Sequence, residues 1–188
     1  FVVPGTAGVV PQLSLNYSSQ GGYGPLGRGW SVGGLSAIPR CRATREAGDF
    51  LGAATPDGNP RPVNFSETDR FCLDGQRLVS IAETCPAVGG MVAVALGTEI
   101  ESFQRVCAYT PAGGGNGPAF FTVERKDGSI SWYGDRDSNS DGATRPDGYV
   151  ETTSPLNPGA AISWAQTRFQ DSTGNYIDYL SNENPAGA

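Results

Sequence analysis

The run Asp135-Arg136-Asp137-Ser138-Asn139-Ser140-Asp141-Gly142 sets an oxygen-bearing side chain at every second position of interest and closes on a glycine. Ca2+ is a hard cation that takes roughly six to eight oxygen ligands. Asp135, Asp137, Asn139 and Asp141 on a tight loop can turn several oxygens inward, and Gly142 permits a sharp bend. From Asp137 the run reads D-x-N-x-D-G, the first half of an EF-hand-type loop. The second half departs from that pattern. Gly148 stands where the bidentate glutamate belongs, and Asp147 falls one residue short. The residues are compatible with a Ca2+ loop or with a solvated acidic loop.

Other chemistry is signalled more thinly. Glu99 and Glu101 are two apart and share a face if the segment is a strand, an arrangement open to acid–base work on a glycoside and equally to simple solvation. Gly29-Trp30-Ser31-Val32-Gly33 matches the nucleophile-elbow pattern G-x-S-x-G. A serine nucleophile needs a base to take its proton, normally histidine, and the chain contains none. Gly22 to Gly27 matches G-x-G-x-x-G, but Pro25 and further glycines follow where a phosphate-binding helix would have to start. Both short patterns read as turn chemistry, the first beside a buried Trp30. The cysteines Cys41, Cys72, Cys85 and Cys107 form no C-x-x-C pair and have no histidine to complete a zinc site. Their even number and wide spacing suit two disulfides in an exported protein, with three connectivities open.

The elements that must position these residues are strands. Leu13, Leu15 and Tyr17 alternate with Gln12, Ser14 and Asn16, the period of a half-buried strand. A glycine-rich loop follows, then Trp30 as an apolar anchor and a second extended run through Val32, Leu35 and Ile38. Residues 42–66 carry turn chemistry and read as a long surface loop. Asp74-Gly75 and Asp127-Gly128 each separate two apolar runs, the short-range signature of a hairpin. Residues 91–96 (MVAVAL) read as a buried strand, and Ile100, Phe103 and Val106 as a further extended piece. Residues 111–118 (PAGGGNGP) are flexible by composition and mark a candidate joint within a single domain spanning 1–188. Residues 161–169, then Asp171 to Tyr179 with Gly174-Asn175 between, read as strand, turn and strand. The fold class expected is all-β: short antiparallel strands in twisted sheets, with long Gly/Pro-rich loops, shell- or sandwich-like.

Three long motifs in order carry a family resemblance. Residues 4–41, PGTAGVVPQLSLNYSSQGGYGPLGRGWSVGGLSAIPRC, resemble the opening of the SpvB-type N-terminal region found in bacterial virulence proteins, toxin-complex B components and Rhs/YD-repeat relatives. Thr68 to Leu78 resembles that family's DRFCLDGQRL motif, and Thr98 to Val106 its TEIxSFxRV motif. Trp164, Arg168, Asp171, Gly174, Asn175 and Tyr176 fit its W-x-x-x-R-x-x-D-x-x-G-N-Y segment, which is similar to one YD-type repeat. The resemblance implies a pairing of Cys41 with Cys72, leaving Cys85 with Cys107. It implies a non-enzymatic shell segment of a secreted bacterial toxin, helping to enclose or present a C-terminal effector. The implied partners are other segments of the same toxin polypeptide or complex, with a host surface as a further candidate. The chain opens on the strand-like Phe1-Val2-Val3 with the family motif already under way, which reads as a cut or processed N-terminus.

Composition sets outer limits. With 188 residues, 38% of them hydrophobic, the chain can build a core and is too apolar for disorder. A net charge of −6 argues against nucleic acid and against an anionic membrane surface. No apolar run is long enough for a transmembrane helix. The residues alone also accommodate another function: a secreted, Ca2+-stabilised β-sandwich module that binds a cell-surface glycan or protein.

Overall fold

The computed structural model describes residues 9–11, 13–19, 23–24, 27–42, 62–65, 69–113, 117–134, 148–151 and 160–180. The described residues form strands joined by turns and no helix. In chain order the strands are β1 (Ser14–Tyr17), β2 (Tyr23–Gly24), β3 (Gly27–Arg28), β4 (Trp30–Gly33), β5 (Ala37–Cys41), β6 (Arg70–Leu73) and β7 (Gln76–Ser80). They continue as β8 (Met91–Thr98), β9 (Arg105–Pro111), β10 (Phe120–Glu124), β11 (Ile130–Gly134), β12 (Tyr149–Glu151), β13 (Ala161–Gln170) and β14 (Tyr176–Asp178).

The main sheet runs β11-β10-β9-β8-β7-β6-β5-β13, every pair antiparallel, and β11 also pairs with β13. The path therefore returns on itself as a barrel-like ring of strands. The long strand β13 makes closure possible: residues 163–165 pair with β5 and residues 166–170 with β11. β12 and β14 add to β13, while β1–β4 and β2–β3 form separate two-stranded ribbons.

Alternation puts one face of each strand inside the ring. Ile38, Leu73, Leu78, Val106, Ala108, Phe121, Val123, Tyr133 and Trp164 form one buried cluster, with Leu96 packed against it, so every ring strand contributes. Ile38, Val106, Phe121, Val123, Tyr133 and Trp164 are all 0% exposed. Burying one such side chain fully contributes about 1.5–3 kcal/mol. Phe71, Phe121 and Trp164 meet edge to face, with centroids 5.1–5.4 Å apart, the arrangement favoured by ring quadrupoles.

A second cluster lies on the outer face. Cys107, Tyr109 and Phe120 are buried there, with Cys85, Met91, Ala93 and Ala119 packed against them. This explains why β9 is buried over four consecutive residues, 106–109: it faces a core on both sides.

The expected hairpins form. Asp74 (φ 49°) and Gly75 (φ 82°) make the β6–β7 turn, and residues 126–128 the β10–β11 turn. β9 ends at Pro111 and β10 starts at Phe120, and the two strands pair directly with each other; residues 114–116 of the candidate joint lie outside the described residues.

Three expectations need correction. Residues 91–96 form β8, but Val92 and Val94 are 54% and 44% exposed. β7 stops pairing at Ser80–Leu96, so among the described residues the start of β8 has a strand neighbour only in β9. Trp30 is not buried; it is 42% exposed and lies 5.2 Å from Tyr17 on the β1–β4 ribbon. Among the described residues that ribbon pairs with no third strand, and Leu15 and Tyr17 are exposed as well. Ile100 and Phe103 lie in the β8–β9 loop rather than on a strand, 72% and 69% exposed.

Candidate functional site

The buried polar site of the described residues is built on Arg40 and Asp69. On β5 the period of two that turns Ile38 inward also turns Arg40 inward. The Arg40 side chain is 1% exposed and that of its partner Asp69 4%. Arg40 Nη1 donates to Asp69 Oδ2 at 3.1 Å, and Nε donates to the Ala161 carbonyl at 2.8 Å. The guanidinium lies 5.4 Å from the Phe65 and Trp164 ring centroids and 5.7 Å from that of Phe71. Asp69 also accepts the backbone N–H groups of Asn64 (3.1 Å) and Phe65 (2.8 Å), which holds Phe65 at φ 61°. Burial pulls the Arg40 pKa down, and the Asp69 carboxylate opposes that shift.

Trp164 adds a cross-barrel link, its indole N–H donating to the Pro118 carbonyl at 3.0 Å. Gly117 lies against Arg40: a Cβ there would sit 2.5 Å from Nη2, and its φ of 130° is one that glycine tolerates. Three segments distant in sequence thus converge on one cation. What the arrangement does is hold strands together. An arginine stays protonated and moves no proton at neutral pH.

A smaller polar node sits nearer the turn rim. Ser36 Oγ donates to Asp74 Oδ1 at 2.8 Å and lies 2.9 Å from the Tyr133 hydroxyl. Burial raises the Tyr133 pKa, so the phenol stays protonated. The β13–β14 turn is organised by Asp171, whose carboxylate accepts the N–H groups of Thr173 and Asn175 and both of their side chains. Those bonds hold Asp171 at a pKa of about 2.

The residues singled out in the sequence are dispersed. Cys41 is bonded to Cys72 and Cys85 to Cys107, the pairing the family resemblance implies. Asp135, Asp137, Asn139 and Asp141 lie outside the described residues, as do Gly22, Pro25 and Leu26. The flanks of the acidic run are described: Gly134 and Gly148 are both buried, and a Cβ on Gly148 would lie 3.4 Å from Gly134 Cα. Glu99 and Glu101 sit in a loop. Glu101 Oε1 accepts the Phe103 N–H at 2.6 Å, and the Glu99 N–H donates to the Arg77 carbonyl at 2.8 Å. Ser31 is an exposed residue within β4, opposite Asn16, with no strand–turn–helix elbow around it. Among the described residues no group of three or more His, Cys, Asp or Glu is placed to hold a metal ion.

The Arg40–Asp69 pair went unread in the sequence. The signal was present: a charge two residues from Ile38 on an alternating strand faces the core and requires a counter-charge.

No family model matches the chain, and no curated protein matches it. Solved structures do. The N-terminal domain of effector protein SpvB from Salmonella typhimurium strain LT2 superposes on 96% of this chain with a TM-score of 0.62 at 23% identity. The Photorhabdus luminescens Tc holotoxin pore matches 96% of the chain with a TM-score of 0.66 at 21% identity. The TcdB2-TccC3-TEV crystal structure matches 96% with a TM-score of 0.65 at 22% identity. The chain has the fold of these toxin components. It spans 55% of the SpvB chain and 8% of each of the other two chains.

Proposed function

We propose that this chain is a non-enzymatic structural segment of a secreted bacterial toxin, helping to enclose or present an effector carried elsewhere in the polypeptide or complex. The observation that carries this reading is the fold: 96% of the chain follows the backbone of an SpvB N-terminal domain and of two Tc toxin structures. The motif order at residues 4–41, 68–78 and 98–106 supports it independently. The chemistry points the same way. The buried charges Arg40 and Asp69 bind each other and the backbone, and Glu101 is occupied in fixing its own loop. A wall-forming role needs strands locked to one another, which is what these groups do. The partners under this reading are other segments of the same toxin.

The test is the intact mass of the native polypeptide, isolated from its source and denatured without reduction. A mass many times 19.6 kDa, or a co-purifying toxin component, is the expected result. A species of 19.6 kDa with no companion would overturn the reading.

A further inference from the structure

The two disulfides hold different things. Cys41 and Cys72 join β5 to β6, strands already paired through Arg40–Phe71 and Cys41–Arg70. Cys85 and Cys107 instead join the connecting segment 81–90 to the outer face of β9. That segment has few other attachments. Residues 82–84 and 86–90 are exposed, and Cys85 alone between them is partly buried. Besides the disulfide, the Tyr109 hydroxyl donates to the Pro86 carbonyl at 3.2 Å, Arg105 Nη1 reaches the Thr84 carbonyl at 3.5 Å, and at the far end the Ala112 N–H donates to the Gly90 carbonyl at 2.9 Å and the Met91 N–H to the Val88 carbonyl at 3.1 Å. The Ile81 N–H to Ala95 carbonyl bond marks where the segment leaves the sheet. Beneath it lies the outer cluster, with the Tyr109 and Phe120 rings stacked at 4.4 Å. The barrel interior is a separate cluster that none of these contacts enters.

We propose that Cys85–Cys107 is a thiol-sensitive latch: reduction frees the 81–90 strap and uncovers the Tyr109–Phe120 face while the barrel interior stays folded. The reductant class is a dithiol. Its thiolate attacks Cys85 Sγ, on the less buried of the two cysteines, and the S–S bond breaks with its electron pair leaving on Cys107 Sγ, which takes a proton from water. The second thiol of the reductant then displaces Cys85 as a thiol. Two electrons pass, and the reductant ends as its own disulfide.

Hydrogen exchange read by mass spectrometry on the full polypeptide, with and without dithiothreitol, tests this. The amides of Ile81, Met91 and Ala112, which bond the Ala95, Val88 and Gly90 carbonyls and so tie the strap to the sheet, are expected to exchange about tenfold faster or more after reduction, with residues 121–123 and 131–133 unchanged. A Cys85→Ser/Cys107→Ser variant should show the open strap without reductant. A Cys41→Ser/Cys72→Ser variant should keep it closed until dithiothreitol is added. Unchanged exchange at Ile81, Met91 and Ala112 once thiol alkylation shows Cys85 and Cys107 to be free would overturn the proposal. So would interior strands that open in step with the strap.

Discussion

Arg40 and Asp69 meet at 3.1 Å with both side chains almost entirely out of water, joining the end of β5 to the residue that leads into β6. Removing one member strands the other charge. Asp69→Ala is expected to cost about 3–5 kcal/mol of unfolding free energy, since a buried guanidinium loses its counter-charge and two backbone N–H groups lose their acceptor. Replacing both residues with apolar ones of similar volume should cost less than the single change. Urea unfolding of the single and double variants measures both, and a double variant no better than Asp69→Ala would refute the ion-pair account.

Trp164 works through both its ring and its N–H. Trp164→Phe keeps most of the packing with Phe71 and Phe121 but leaves the Pro118 carbonyl without its donor, at a cost of about 1–3 kcal/mol. Trp164→Ala also opens a cavity in the barrel interior and should cost about 3–5 kcal/mol. The gap between the two variants in chemical denaturation separates hydrogen bond from packing.

Local structure was far more legible than closure. Asp74-Gly75 and Asp127-Gly128 announced their hairpins because few residues accept the backbone those turns need, and Asp74 and Gly75 do adopt positive φ. The β11–β13 pairing that completes the ring joins Ile130 to Gln170, and nothing local in either strand encodes it. Val92 and Val94 misled because an apolar run reports hydrophobicity and not whether a neighbouring strand reaches it. Trp30 misled similarly, since among the described residues its ribbon has no third strand to bury it. For the candidate site, the cysteines were visible as residues while their pairing came from resemblance. Arg40 was discernible only by carrying the alternation from Ile38 one step further.

Asp171 gives the β13–β14 turn a pH dependence. Its pKa is lowered from 3.8 to about 2, chiefly by its bond to the Asn175 side chain. A depressed carboxylate stabilises the fold fully above its unfolded value and loses that contribution as the pH falls through the folded one. The stability difference between wild type and Asp171→Ala should therefore hold steady at neutral pH and shrink between 3.8 and about 2. Denaturation midpoints across that window measure it, and a difference independent of pH would exclude the mechanism.

The glycines flanking the acidic run make a sharper test of backbone constraint. Gly148 holds φ 67°, and a Cβ there would fall 2.4 Å from Thr167 Cγ2 and 3.3 Å from the Ala165 carbonyl oxygen. Gly75 holds a similar φ of 82° with nothing within 4 Å, so its substitution isolates backbone strain from crowding. Gly75→Ala should cost about 1 kcal/mol from the left-handed backbone alone. Gly148→Ala adds overpacking against β13, typically about 1–3 kcal/mol more. Trimming Thr167 to Ser removes the methyl that collides and should recover part of the Gly148→Ala loss, while leaving the Gly75→Ala cost unchanged. Thermal unfolding of the single and double variants reads out the coupling. Equal costs at the two glycines, or no rescue by Thr167→Ser, would mean that the close approach of Gly148 to Thr167 adds nothing to the backbone cost.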